Sequence, residues 1–193
     1  HMMRRREDFG EYFRIACRYL QQETTYNEEG SILSGNNQSF TMQDNSTGAL
    51  ERMEQTVHQA TPWMVKALNG GMGGVDSLFS AEAAFYTYRL EDARRYAYKA
   101  LYDAKLNRQH DLVCNTHYLL ARIASFRGSI EEVMEEINEI SDYVAAHPHE
   151  VLIEIRDTAL GWMHIKMGDL DQLPHWLLTV KDNEQASLKY GRD

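Results

Sequence analysis

Apolar residues along this chain recur at helical spacing, and the pattern itself returns every 40 residues. Gly128-Ser129-Ile130-Glu131-Glu132-Val133 and Gly168-Asp169-Leu170-Asp171-Gln172-Leu173 share one order: glycine, polar, aliphatic, acidic, polar, aliphatic. Tyr88-Arg89-Leu90-Glu91-Asp92-Ala93 keeps it without the glycine, and Gly48-Ala49-Leu50-Glu51-Arg52-Met53 keeps most of it. Each copy reads as a helix closed by a glycine-type turn, with an acidic-capped helix starting at once. The register holds past the turn. Val57, Ala97, Ile137 and Leu177 fall four residues later, and Ala60, Ala100, Ile140 and Val180 three after that.

A helical chain with a fixed period of this size predicts an all-α fold. The expected form is a right-handed superhelical array of antiparallel helix pairs, a TPR-like α-solenoid with repeats of about 40 residues. Such repeats bury their core between neighbours and turn a face outward, so binding is the expected role and catalysis is not. An amphipathic helix is predicted over 7–23, followed by a polar loop over 27–47, so that residues 1–47 lead into the repeats. The repeat domain spans 48–181, with helices over 48–61 and 62–68 and then the pairs 75–88 with 90–106, 110–127 with 129–146, and 149–167 with 169–181. Pro148 is expected in a helical first turn, where proline is tolerated. Pro174 should bend the last helix or delay its start. Residues 182–193 form a polar tail.

Composition narrows the function. With 193 residues there is room for a sizeable shared core, and three prolines leave the helical bias nearly unbroken. A formal net charge of −9 argues against direct contact with nucleic acid, whose affinity comes mainly from phosphate neutralisation. The Arg4-Arg5-Arg6 triplet is too short to change that. Cys17 and Cys114 follow no metal spacing and sit among apolar neighbours, which suggests a reduced, cytoplasmic protein. No apolar run approaches a membrane span, so no membrane partner is expected. The opening His1-Met2 reads as a remnant of cloning, and the chain is expected to come from a longer protein.

No motif points to a cofactor or an enzyme. Asn69-Gly70-Gly71-Met72-Gly73-Gly74 lacks the Lys and hydroxyl of a nucleotide loop, and Asp76 stands where a dinucleotide motif needs its third glycine. An inter-helix turn with backbone close to a neighbour is the expected role. Helix N–H groups near Val75 leave an anion site open as an alternative. His110, His117, His147 and His149 show no i, i+4 pair with carboxylate support, so packing or surface roles are expected over metal binding. Many tyrosines at helical spacing should pack between antiparallel helices.

The first helix of each pair should nonetheless present some residues to the concave side. Leu78, Glu82, Phe85 and Tyr86 come from the first, Asn115, Tyr118, Arg122 and Phe126 from the second, and Thr158, Trp162, Ile165 and Lys166 from the third. Of these, Glu82, Tyr86, Tyr118, Arg122, Trp162 and Lys166 are the candidate ligand-binding residues, joining flat apolar area to charge. The alternative is that this face is simply solvated or covered by further repeats.

Several linked blocks resemble one family. Gly30-Ser31-Ile32-Leu33-Ser34-Gly35-Asn36-Asn37-Gln38-Ser39-Phe40 followed by Gly48-Ala49-Leu50-Glu51 resembles the entry to the helical-repeat region of LuxR-type transcriptional regulators related to MalT. Ala81-Glu82, Leu90-Glu91-Asp92-Ala93, Tyr98-Lys99-Ala100-Leu101-Tyr102 and Gln109 resemble its central block, and Leu119-Leu120-Ala121-Arg122-Ile123-Ala124 with Gly128 also fits. The resemblance covers about residues 30 to 175. It implies a regulator with an ATPase domain, a helical sensor and a C-terminal helix-turn-helix. No Walker motif or DNA-binding helix pair occurs in this chain, so the resemblance assigns it only the sensor: a region that binds a small-molecule or peptide inducer. Tyr88 departs from the family's turn glycine, and Asn36-Asn37-Gln38 stands where a proline-containing turn is common. A free-standing scaffold docking a partner protein segment is the other reading.

Overall fold

Helix closure is governed by a backbone conformation that returns along the chain. The computed structural model describes residues 73–173 continuously, with Gln55, His58, Gln59, Thr61, Pro62, Val65 and Lys66 in helical conformation ahead of them. Five α-helices follow in order: α1 Val75–Tyr86, α2 Leu90–Leu106, α3 His110–Phe126, α4 Ile130–Ala146 and α5 Glu150–Met167. A short 3-10 turn, Leu170–Gln172, comes next, and there is no strand among the described residues. The fold of this region is all-helical. The expected elements at 7–23, 27–47 and beyond 173, including Cys17 and Pro174, lie outside the described residues.

Four of the helices end the same way. Tyr88, Arg108, Gly128 and Gly168 occupy the left-handed region, with φ of 59°, 53°, 77° and 75°. In each case the next residue's N–H reaches five residues back: Arg89 to the Ala84 carbonyl (2.9 Å), Gln109 to Ala104 (2.8 Å), Ser129 to Ala124 (3.1 Å) and Asp169 to His164 (2.9 Å). This bond satisfies a terminal carbonyl and turns the chain sharply. The turns expected at 88–90, 128–130 and 168–170 are therefore present, and Arg108 supplies another midway between the first two. At α4 the mechanism differs. It stops at His147, and Pro148 stands just ahead of the α5 N-cap His149, not within the helical first turn as expected.

Starts are less uniform. The Ser129 hydroxyl accepts from the Glu132 N–H at the head of α4, and His149 Nδ1 accepts from the Val151 N–H at the head of α5. Gly74, at φ 97°, opens α1 with its Cα so near α2 that an added Cβ would stand 2.8 Å from the Ala100 carbonyl oxygen. The Gly-rich stretch therefore ends as a turn lying against a neighbouring backbone.

Each helix packs on the next, and α3 also touches both α1 and α5. The core forms two apolar clusters. One joins α1, α2 and α3 through Leu78, Ala97, Ala100, Leu119 and Ile123; the other joins α3, α4 and α5 through Ala121, Ile137, Ile140 and Met163. On α2 the buried residues are Ala93, Ala97, Ala100 and Ala104, and on α4 Val133, Ile137, Ile140 and Val144. Those sets coincide position for position at the 40-residue interval, all alanine on α2 and all β-branched on α4. No helix among the described residues is long and apolar enough to cross a membrane.

Two substitutions test this architecture. At Gly128 an added Cβ would have open space around it, so Gly128→Ala isolates the cost of the left-handed backbone. It should destabilise by about 1 kcal/mol, read as a lower urea midpoint. Ala100→Trp fills a site with no exposed surface and should cost about 1–3 kcal/mol or more by overpacking. An unchanged midpoint there would show that the helix register is wrong.

Candidate functional site

The C-terminal ends of α1, α3 and α5 together line a cleft of about 510 Å³ that is open to solvent. Phe85 and Tyr86 enter from α1, Arg122, Ser125 and Phe126 from α3, Trp162 and Lys166 from α5, and Tyr88 from the turn after α1. Repeat spacing explains the selection. Glu82, Arg122 and Trp162 stand 40 residues apart in series, as do Tyr86, Phe126 and Lys166. Equivalent turns of three alternate helices therefore converge.

Arg122 sits at the centre. Its guanidinium carbon lies 4.6 Å from the Phe85 ring centroid, 5.6 Å from that of Tyr86 and 5.9 Å from that of Tyr118. One Nη donates to the Tyr86 hydroxyl at 3.4 Å. Cation–π attraction of this kind is worth about 0.5–2 kcal/mol per ring, more where water is excluded. The rings also brace one another. Phe85 meets Phe126 edge-on at 5.3 Å between centroids, Tyr88 meets Phe126 at 6.1 Å, and Tyr118 meets Trp162 at 5.6 Å. Phe126 is 58% exposed and Tyr88 76% exposed, so the cleft's rim is open and aromatic.

Of the six candidate residues, Tyr86, Arg122, Trp162 and Lys166 line the cleft. Tyr118 does not line it; it packs behind Trp162 and against Arg122. Glu82 also departs from the expectation, being buried beneath the cleft and not displayed on its surface. The helical repeat sets Glu82 one turn below Tyr86, on the part of α1 covered by its neighbours. Burial pushes the Glu82 carboxyl up to about 7, with Arg122 pulling the other way. Its Oε2 has no hydrogen-bond partner among the described residues. Sequence reasoning did not single out Ser125 and Tyr88 as ligand contacts. The repeat could have found Ser125, which stands 40 residues after Phe85; Tyr88 carried only the signal of a large residue at a glycine position.

Elsewhere several histidines and the one described cysteine pack against neighbouring side chains. His117 Nδ1 pairs with Glu136 Oε2 at 2.6 Å, and His110 Nδ1 with the Tyr143 hydroxyl at 2.9 Å, where His147 stacks on Tyr143. Burial, then the neighbouring His147, holds the His110 imidazole below its ordinary range. Cys114 is a free, buried thiol pushed up to about 12 by desolvation. Among the described residues no group of three or more His, Cys, Asp or Glu is placed to hold a metal ion. The arrangement combines flat apolar walls, two cations and a rim open to solvent. No protein family, curated protein or solved structure matches this chain.

Glu82 gives the cleft a pH signature. Its folded-state pKa of about 7 lies above the ordinary 4.5, so the folded state holds the proton more tightly. That contribution is fully present below about 4.5 and is lost as pH rises through about 7, a change on the order of 3 kcal/mol. Glu82→Gln removes the buried charge at similar volume. It should raise the Tm at about pH 8 and change it little in acid. Thermal melts at both pH values check this, and an equal effect at both would show that Glu82 does not titrate in this window.

Proposed function

We propose that this chain is the ligand-sensing helical-repeat region of a LuxR-type, MalT-like transcriptional regulator, binding an inducer or partner segment without transforming it. The helix pairs are arranged in this reading as a TPR-like, right-handed solenoid, with the first helix of each pair lining the concave side. The observation that carries the proposal is the cleft itself: equivalent turns of α1, α3 and α5 supply Tyr86, Arg122, Trp162 and Lys166 to one 510 Å³ space. Such a volume suits a small organic ligand, and its few polar groups would fix orientation among apolar walls.

Signalling follows from linkage. A ligand that bridges three helices favours whichever arrangement holds their ends at the right separation, and it shifts the regulator by its differential affinity for the two states. The ATPase and helix-turn-helix functions belong to other parts of such a regulator, consistent with the absence of their motifs from this sequence. Cytoplasmic location belongs to the same proposal.

A second reading, a scaffold for a partner protein segment, draws support from the exposed apolar residues near the turns. Tyr88, Phe126, Ile130, Ile165, Met167 and Leu170 are all more than half exposed. A docked segment would cover them.

In the regulator, Arg122→Ala combined with Lys166→Ala should lower inducer-dependent reporter activation while the far-UV circular dichroism of this region is unchanged. For the isolated chain, a ligand of the cleft should raise the Tm of the wild type and not of the double variant. Saturation at a hundredfold excess over Kd corresponds to about 2.7 kcal/mol. Full inducer response in a well-folded double variant would overturn the sensing role of the cleft and favour the scaffold reading.

A further inference from the structure

In a chain of net charge −9, this cleft is lined by two cations and no carboxylate. Neither Arg122 nor Lys166 forms an ion pair with a carboxylate among the described residues, whereas Arg89, Arg94, Arg95, Arg127 and Arg156 each do. Arg122 is held instead by three aromatic rings. Ring attraction positions a guanidinium without neutralising it. One hydrogen bond, to Tyr86, occupies little of the fork, which has five N–H donors. The carboxyl nearest in effect, Glu82, is buried beneath, and its burial holds it partly protonated near neutral pH, so it offsets Arg122 only in part. Lys166, exposed in the last turn of α5, adds a second positive charge across the same space.

We propose that the cleft takes a small molecule with a planar apolar body and one anionic group, a carboxylate or a phosphate. The anion lies between Arg122 and Lys166, and the body rests on Trp162 and Phe126. This assignment rests on the ligand-sensing reading and adds the chemistry of the ligand. A planar guanidinium matches either anion through two parallel N–H bonds, and Lys166 supplies a compact charge to the same group. The walls contribute in proportion to the apolar area they cover. A neutral molecule of the same shape gains the walls and leaves both cations unpaired. Selectivity for the anion is therefore built into a fork that no carboxylate of the described residues closes.

Isothermal titration calorimetry of the 193-residue chain at neutral pH and low salt tests this with matched probes. Indole-3-acetate and 1-naphthyl phosphate carry the anion, and indole-3-acetamide presents nearly the shape of the first without the charge. At least one anion should bind about tenfold more tightly than the amide or better. The stronger of the two identifies the anion as carboxylate or phosphate. Arg122→Gln should erase the preference. Because Arg122 also braces three rings, the exposed Lys166→Gln provides an independent arm, expected to cut the preference about threefold without changing the melting curve. Equal binding of anion and amide overturns the anion assignment and leaves the cleft as a ligand site. A preference that survives in both folded variants overturns it as well. Binding of none of the probes up to millimolar concentration overturns the assignment and the small-ligand reading together.

Discussion

The structure depends on how its helices stop. A single residue in the left-handed region, with one N–H reaching back five residues to a carbonyl, ends α1, α2, α3 and α5 and redirects the chain. The constraint is local, decided within about six residues, and its repetition makes it architectural. Because the reversals return in step with the hydrophobic pattern, Ala97 and Ile137, or Ala100 and Ile140, bury at equivalent positions of different helices. Two positions meet the constraint without glycine. Tyr88 and Arg108 accept a conformation that costs an ordinary residue about 1–2 kcal/mol. At Tyr88 the edge contact with Phe126 offers a partial return on that strain.

From the stops follows the cleft. Reversals place the C-terminal ends of α1, α3 and α5 together, the ends at which aligned peptide dipoles concentrate partial negative charge. Cations are favoured at such ends, and Lys166 occupies the last turn of α5. Arg122 lies one turn deeper, surrounded by rings that replace water without replacing an anion. Glu82 beneath it shows the opposing cost. A carboxyl with one oxygen unpartnered is tolerated there because it can remain protonated. One cation thus faces a masked acid below and an open cleft above.

Much of this was legible in the sequence because both signals are periodic. Apolar spacing placed the five helices between 75 and 167 to within about two residues, whereas the helix expected from 169 begins as a 3-10 turn ending at an extended Leu173. The glycine of the turn hexapeptide marked two of the four left-handed closures. Repeat spacing also singled out Arg122 and Trp162, which stand at equivalent turns, and Lys166 one turn further along. What escaped was depth. Glu82 occupies the same register as Arg122, yet α1 is buried along nearly its whole length while α3 surfaces at its C-terminal end. A period in sequence gives angular position around a helix and says nothing about how far a neighbour overhangs it. The break at 107–109 was expected between the helices 90–106 and 110–127, but its left-handed closure was not, because Arg108 is not a glycine and lies half a period from the other turns.

The buried thiol of Cys114 has a different kind of consequence. It lies in the cluster that joins α3 to α4 and α5, on the same helix that carries Arg122. Thiols react as thiolates, and desolvation with a pKa pushed up to about 12 keeps this one neutral and covered. Alkylation must therefore wait for α3 to part from its neighbours. Reaction at Cys114 then measures the free energy of that opening, separately from global unfolding, in the helix on which the cleft depends. The helix that carries the binding arginine also carries its own clock.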